Sequence, residues 1–288
     1  MKQNLGKLSA QEQAQYQLTP HLDNPRLSKM LDGVDARGHS VTSAVINEQS
    51  LTLYLNSQEI VTMMSLCDYP QYLALGYLLN QNMLHSIDEV EAIDYDEDLS
   101  VVVVRTYEET DFQDKLRKRT LTSGCAQGTA FGDLMETMEG VYFDDTRLLK
   151  TSALAKLLSC IARTPSLYLK TGAIHGCVLA QGTSPLIYME DVGRHNAVDK
   201  IAGYMAHHNL DARDKIFFTT GRLTSEMVIK TAQMGIPVLV SRSGFTAWGA
   251  ELAQKINLTL IGRAKGKRFL CLSGAHRLIF DSFDETLA

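Results

Sequence analysis

Between Gly176 and Leu272, short runs of aliphatic and β-branched residues alternate with helical stretches, which confines this part of the chain to a layered α/β fold. Gly176–Ala180, Leu186–Glu190, Ile216–Thr219, Ile236–Val240, Leu258–Ile261 and Phe269–Leu272 have the length and composition of strands. Arg194–His207, Ser225–Met234 and Ala247–Lys255 read as helices between them, and Gly235 stands at the C′ position of the second. Upstream, Thr151 opens a helix with Leu154, Leu157, Leu158 and Ile161 on one face, stopped by Thr164-Pro165. Leu167–Lys170 then reads as a further strand. Repeated alternation of this kind predicts a helix-covered sheet with mainly parallel pairing.

The front of the chain has a different grain. Ser43–Ile46, Leu51–Leu55 and Glu59–Ser65 read as short strands separated by polar turns. Asp68 is an N-cap candidate, with Pro70 in the first turn, for an apolar helix running through Leu79. Val90–Tyr95 and Leu99–Thr106 are two more strands, split by Asp96-Glu97-Asp98, and the run Val101–Val104 suits a buried strand. Residues 1–40 show no sustained period beyond one short turn around Leu27, Met30 and Leu31. The expected organisation is therefore a loose arm (1–40), a smaller β-rich domain (41–145) and an α/β domain (146–288).

A chain of 288 residues can bury a core of that size and is long enough for two domains. Its net charge of −5 argues against a protein built to coat nucleic acid. The Gln-rich N-terminus has no apolar signal core, and no run approaches a membrane span. The expected location is cytoplasmic. Five scattered cysteines without C-x-x-C spacing argue against a disulfide framework or a zinc ribbon.

Three strand-to-helix junctions concentrate polar side chains where open α/β sheets bind ligands. The first is Glu190-Asp191-Val192-Gly193-Arg194-His195-Asn196-Ala197-Val198-Asp199-Lys200. There Arg194 could take a phosphate, His195 exchange a proton, and Asn196 hydrogen-bond a ring edge. The competing interpretation is a capped helix turn with Asp199 and Lys200 on a solvated face. The second junction, Thr219-Thr220-Gly221-Arg222-Leu223-Thr224-Ser225-Glu226, could hold an anion at Gly221 and Arg222, though it lacks the P-loop pattern. Ser241–Thr246 is the third. At equivalent ends of one sheet, the three loops would build one pocket.

A fourth stretch, Gly262-Arg263-Ala264-Lys265-Gly266-Lys267-Arg268, carries four cations and no acid inside an acidic protein. Arginine forks and close-approaching glycine backbone suit a pyrophosphate or nucleotide, whereas a hairpin turn dressed with solubilising lysines explains the same residues. His175-Gly176-Cys177 lacks both the glutamate and the P-C-x-x-C of zinc deaminases, which disfavours metal-assisted deamination.

Cys125 lies in Leu121-Thr122-Ser123-Gly124-Cys125-Ala126-Gln127-Gly128-Thr129, downstream of the basic run Lys115–Arg119. Phe131, Leu134, Met135 and Met138 then fall at helical spacing, so a helix N-terminus and nearby cations could lower the thiol pKa. A buried, unreactive thiol fits the local sequence equally well.

Together these stretches resemble the FdhD family of sulfur carriers for molybdenum-dependent formate dehydrogenases. The match runs through 68–79 (D-Y-P-Q-Y-L-A-L-G-Y-L-L), 171–176 (T-G-A-I-H-G), 190–200 (E-D-V-G-R-H-N-A-V-D-K), 220–227 (T-G-R-L-T-S-E-M) and 262–269 (G-R-A-K-G-K-R-F). The resemblance implies a main domain similar to cytidine deaminases without their zinc, a smaller front domain, and a homodimer. It implies that Cys125 accepts sulfur as a persulfide from a cysteine desulfurase and passes it to a molybdenum bis(pterin guanine dinucleotide) cofactor. That cofactor is a bound substrate, with no permanently held metal, and formate dehydrogenase is the client. Arg263–Arg268 would be the cofactor-binding segment, assisted by Arg194, His195, Asn196, Gly221 and Arg222. A chaperone that binds the cofactor and never carries sulfur is the alternative. Two departures stand out. Gly128 occupies the place where many relatives carry a second loop cysteine, and Ser243-Gly244-Phe245-Thr246 lacks the proline common there.

Overall fold

The structure is a computed structural model that describes residues 16–108, 138–144 and 147–281, with the backbone of 120–121 and 128–129 in addition. Two strands, β1 (Ser28–Val34) and β2 (Ser40–Ile46), form an antiparallel ribbon near the N-terminus. This differs from the loose arm expected for residues up to 40. The ribbon is exposed along most of both strands, so its sequence carries no alternation of buried and solvated positions to reveal it.

Next come β3 (Gln49–Leu55), β4 (Gln58–Ser65), α1 (Pro70–Asn80), β5 (Val90–Asp96) and β6 (Val101–Thr106). Their sheet has the order β4-β3-β6-β5, with β3 and β6 parallel. Leu51, Leu53, Leu55, Val102 and Val104 alternate onto the face that packs against Leu73, Leu75 and Leu78 of α1. Pro70 opens α1 in the favoured first-turn position, but Asp68 does not cap it, because its carboxylate is engaged elsewhere. A two-residue ladder, β7 (Thr120–Leu121) with β8 (Gly128–Thr129), follows. Cys125, the basic run and the apolar residues Phe131, Leu134 and Met135 lie outside the described residues.

The main part begins with β9 (Leu149–Lys150), α2 (Thr151–Arg163) and α3 (Leu167–Thr171). The expectation of a strand at Leu167–Lys170 is corrected here. Ser166 caps the segment through Leu169 N–H, and the Glu190 carboxylate accepts the Leu167 and Tyr168 N–H groups at 2.8 and 2.7 Å. Those tertiary acceptors outweigh the strand-like composition. Then follow β10 (His175–Gln181), β11 (Ser184–Asp191), α4 (Arg194–His207), β12 (Lys215–Thr219), α5 (Ser225–Gln233), β13 (Val238–Ser241), α6 (Ala247–Lys255), β14 (Thr259–Lys265), β15 (Arg268–Ser273) and β16 (Leu278–Ile279).

The six-stranded sheet runs β11-β10-β12-β13-β14-β15, and only β12–β13 and β13–β14 pair in parallel. Mainly parallel pairing is thus corrected to a mixed sheet. Gly182 (φ +58°) and Gly266 (φ +60°) turn the chain back on itself after β10 and β14, producing hairpins where crossovers were expected. Helices cover both faces, α4, α5 and α6 on one and α2 on the other. The architecture is mixed α/β with several sheets.

Front and main parts meet where α1 crosses α4 backbone to backbone. A Cβ on Gly76 would overlap the Asp199 carbonyl oxygen, and one on Gly203 would overlap that of Tyr72. Neither site can yield, because each clash is with helix backbone. Gly203→Ala is therefore expected to cost about 1–3 kcal/mol or more through forced separation of the helices. Thermal unfolding of the purified variant measures this, and an unchanged midpoint would contradict the close crossing.

Candidate functional site

Five buried charges organise the junction between the two parts. Lys200, fully buried, pairs through Nζ with the carboxylates of Asp68 and Asp191 and donates to the Glu190 carbonyl oxygen at 2.9 Å. Burial opposes its charge, but the two carboxylates overcome that and raise its pKa above the ordinary value. Asp191 also accepts Ser65 Oγ at 2.6 Å and Asn196 Nδ2 at 2.9 Å. One helical turn on, Asp199 accepts Lys230 Nζ at 2.7 and 2.8 Å and Asn80 Nδ2 at 2.6 Å. Asp199 and Lys200 are accordingly interior residues and do not form a solvated face.

Above this network, the sheet topology brings the singled-out loops to one edge. His175 begins β10, while β11, β12, β13 and β14 all end there, because His175 registers with Asp191, Cys177 with Thr219, and Thr219 with Ser241. The loops interlock. Ser241 Oγ donates to the Gly221 carbonyl at 2.5 Å, Arg242 N–H to Thr219 at 3.2 Å, and Arg263 N–H to Ser243 at 2.7 Å. A Cβ on Gly221 would stand 3.0 Å from Arg194 Cβ, so glycine lets this loop lie on the buried Arg194 side chain. The three expected junctions do form one site.

Within it the residues divide by role. Asn196 directs its amide donors inward, to Asp191 and to the Met64 carbonyl at 2.8 Å, and so ties the front sheet to the site. His195 Nε2 lies 3.2 Å from Glu226 Oε2, with both side chains 13% exposed. Burial first, then the cations of Lys230 and Arg194, hold the ring far below its usual pKa. His195 is therefore a neutral donor fixed by Glu226 near neutral pH. His175 contacts Thr220 Oγ1 at 3.3 Å, and burial together with Arg194 and Arg222 lowers its pKa.

Arg222, Arg242, Arg263, Lys265, Lys267 and Arg268 are exposed at this edge. Gly262–Arg268 is a hairpin tip, and it also forms the lip of a cavity. Ala264 turns inward, Arg263 is held outward at φ +53°, and Gly262 lies so close to the Phe245 ring that a side chain would collide. The cavity, of about 200 Å³, lies between α2, α3 and the sheet. Tyr168, Tyr188 and Phe218 supply aromatic walls, and Thr220, Arg242 and Lys265 stand at its polar rim. These aromatics were not singled out from sequence, since each lies in an ordinary strand or helix run and only the fold brings them together, whereas Arg242 belongs to the third junction.

Among the described residues, no group of three or more His, Cys, Asp or Glu side chains is arranged to hold a metal ion, and no helix is long and apolar enough to cross a membrane. Cys160 is buried, and burial raises the thiols of Cys67 to about 11, Cys177 to about 12, and Cys271 to a lesser degree.

The sequence profile of the FdhD/NarQ family matches residues 46–279, most of the chain. The chain belongs to the FdhD/NarQ family. Among similar FdhD/NarQ proteins, the sulfur carrier protein FdhD of Bacillus pumilus is 29% identical over 229 residues, 79% of this chain and 87% of its own. That of Listeria monocytogenes serotype 4b is 28% identical over 241 residues, 83% of this chain and 92% of its own. A crystal structure from Desulfotalea psychrophila, of a protein described as a formate dehydrogenase accessory protein, is similar with TM-score 0.71 and 26% identity. The match covers 88% of this chain and all of that one.

Glu190 links the site to pH. Burial raises its carboxyl from an ordinary 4.5 to about 7, against the lowering effect of the Tyr168 and Leu167 N–H groups. The folded chain thus holds this proton more tightly than the unfolded chain. The group favours folding below pH 4.5 and opposes it increasingly as pH climbs to 7. The stability of wild type relative to Glu190→Gln is expected to fall across that window. A difference independent of pH in thermal unfolding would contradict it.

Proposed function

We propose that this FdhD/NarQ protein is a sulfur carrier acting in formate dehydrogenase maturation. Cys125 is the acceptor. Its thiolate attacks the outer sulfur of a persulfide on a cysteine desulfurase, the S–S bond of that persulfide breaks, the desulfurase thiolate leaves, and Cys125 becomes the persulfide. The terminal sulfur is then passed to the molybdenum bis(pterin guanine dinucleotide) cofactor, the protein's cargo, before its insertion into formate dehydrogenase. In that step the S–S bond of the Cys125 persulfide breaks, the Cys125 thiolate leaves, and a thiol reductant supplies the two electrons that bring the sulfur to the sulfide level.

The observation that carries this reading is the meeting of exposed cations and an aromatic-walled cavity at one sheet edge. A flat ring system suits walls formed by Tyr168, Tyr188 and Phe218, and phosphates suit the adjoining Arg242, Arg263, Lys265, Lys267 and Arg268. Arg222 adds charge at the same sheet edge, Gly221 lies on Arg194 beside it, and His195 and Asn196 keep the junction in place. Ala264 and Gly266 let the lip approach the ring closely. The raised thiols of Cys67, Cys177 and Cys271 favour Cys125 as the reactive one. The helix-covered mixed sheet suits a main domain of cytidine-deaminase type with a β-rich front domain, and a homodimer in the reducing cytoplasm completes the reading.

Cys125→Ala is expected to abolish maturation of the client enzyme while leaving thermal unfolding unchanged. Full client activity with this variant would overturn the assignment. Replacing Arg263 and Lys265 together by Ala is expected to weaken guanosine diphosphate binding about tenfold or more, as loss of charge-assisted contacts does. Calorimetric titration reads that change, and undiminished affinity would remove the hairpin lip from the site.

A further inference from the structure

Of the elements around the cavity, α3 is the least able to hold its own shape. It has five residues, and a helix that short makes too few internal hydrogen bonds to offset the cost of nucleation. Its first N–H groups are each taken by a side chain. Leu167 and Tyr168 donate to the two carboxylate oxygens of Glu190, at 2.8 and 2.7 Å, and Leu169 donates to Ser166 Oγ at 3.2 Å. The other end closes on Gly172, at φ +70°, whose N–H reaches the Tyr168 carbonyl at 2.9 Å. Leu167 is buried beside Leu27, Leu66 and Ile174, whereas Tyr168 is half-buried and lines the cavity together with the more exposed Leu169.

Glu190 reaches α3 from the interior. It lies on β11 two residues after Tyr188, another wall of the same cavity, and is 1% exposed. Its backbone carbonyl accepts Lys200 Nζ, which fixes the residue from behind. The charged groups facing its carboxyl are Asp68, from the segment before α1, and Lys200, from α4. Its partner on β10 is Gly176, and His175 beside that glycine titrates below its ordinary 6.5. Burial keeps Tyr188 a neutral phenol, and two carboxylates keep Lys200 an ammonium. Glu190 itself changes charge near neutral pH, since burial raises it to about 7. A neutral acceptor would satisfy the Leu167 and Tyr168 N–H groups without the penalty of burying a charge. What a carboxyl group adds is a hold on α3 that changes with its proton. Ionised, both oxygens accept strongly; protonated, one becomes a hydroxyl and a poorer acceptor.

We propose that Glu190 is a positioning residue for the cargo: by holding the first turn of α3 it holds Tyr168 as a wall of the cavity, so that guanine binds more tightly when this carboxyl is ionised. The inference rests on the reading of the cavity as the cargo site and couples that site to a proton. Glu190 is already out of water in the free protein, so a ligand acts on it through α3 and not by burying it further. Binding that favours the ionised form makes the loaded protein hold the Glu190 proton less tightly than the empty one. Affinity therefore climbs as pH rises through about 7 and then levels off. By reciprocity, taking up the proton promotes release of the guanine.

The test is calorimetric titration of the full chain with guanosine on either side of this pH, from about pH 6 to about pH 8. Guanosine has no phosphate and stays uncharged over that range, so neither its own ionisation nor the basic rim enters the result. Wild type is expected to bind about three- to tenfold more tightly at the upper end, the effect of one charge-assisted hydrogen bond. Near pH 7 it is also expected to release protons on binding, read by comparing buffers of different ionisation enthalpy. Glu190→Gln offers a single carbonyl oxygen at every pH and is expected to bind at the weaker level throughout, with circular dichroism checking that it folds. Should that variant not fold, the wild-type profile and the released proton decide alone. A wild-type affinity independent of pH would overturn the proposal and leave the cavity reading intact. A slope that persists in Glu190→Gln would assign the proton to another group and also overturn it. Absence of guanosine binding at every pH would remove the cavity from the cargo site, and the inference with it.

Discussion

The buried ammonium of Lys200, held between Asp68 and Asp191, is the interaction on which the rest of the structure depends. Asp68 precedes the helix of the front part, Asp191 ends a strand of the main sheet, and Lys200 belongs to the helix between them in space. Removing one partner of such a buried set leaves an uncompensated charge, which costs far more than the set contributes when complete. The glycine-to-glycine crossing of α1 and α4 makes the pairing possible, since any side chain at Gly76 or Gly203 would drive the helices apart. Specific geometry, more than net stabilisation, is what this arrangement secures.

That geometry extends to the ligand edge through short links. Asp191 fixes Asn196, Asn196 fixes the end of β4 through the Met64 carbonyl, and the Glu190 carboxylate starts α3, which walls the cavity. Charges of the interior are therefore neutralised and fixed, while those of the rim, Arg222, Arg242, Arg263, Lys265, Lys267 and Arg268, remain in solvent. An exposed cation on a rigid edge attracts an anionic ligand without first breaking a salt bridge inside the protein.

Much of this was legible in the sequence where local and tertiary preferences agree. The helices Arg194–His207 and Ala247–Lys255 form with the expected bounds, and the polar junctions after β11, β12 and β13 meet at one edge. Asp199 and Lys200 could not be read this way, because a buried ion pair and a solvated one look the same until the facing element is known. Leu167–Thr171 has strand composition, yet its helix is fixed by Glu190, a residue distant in sequence. The β1–β2 ribbon escaped notice for the opposite reason, since it buries too little to imprint a period. The aromatic walls belong to three separate elements, and only the completed fold sets them around one space.

Sulfur chemistry at Cys125 is the central claim, and the sequence gives it one thiol between Leu121 and Thr129, with Gly128 where a second cysteine could have stood. A single thiol can accept and hand on one sulfur atom, but it has no neighbour in that stretch to resolve it as a disulfide. The most direct measurement is the intact mass of the full chain after incubation with a cysteine desulfurase and cysteine. The account predicts a gain of one sulfur atom, removed by thiol reductant and absent in Cys125→Ala. An unchanged mass for wild type, or the same gain in Cys125→Ala, would contradict it.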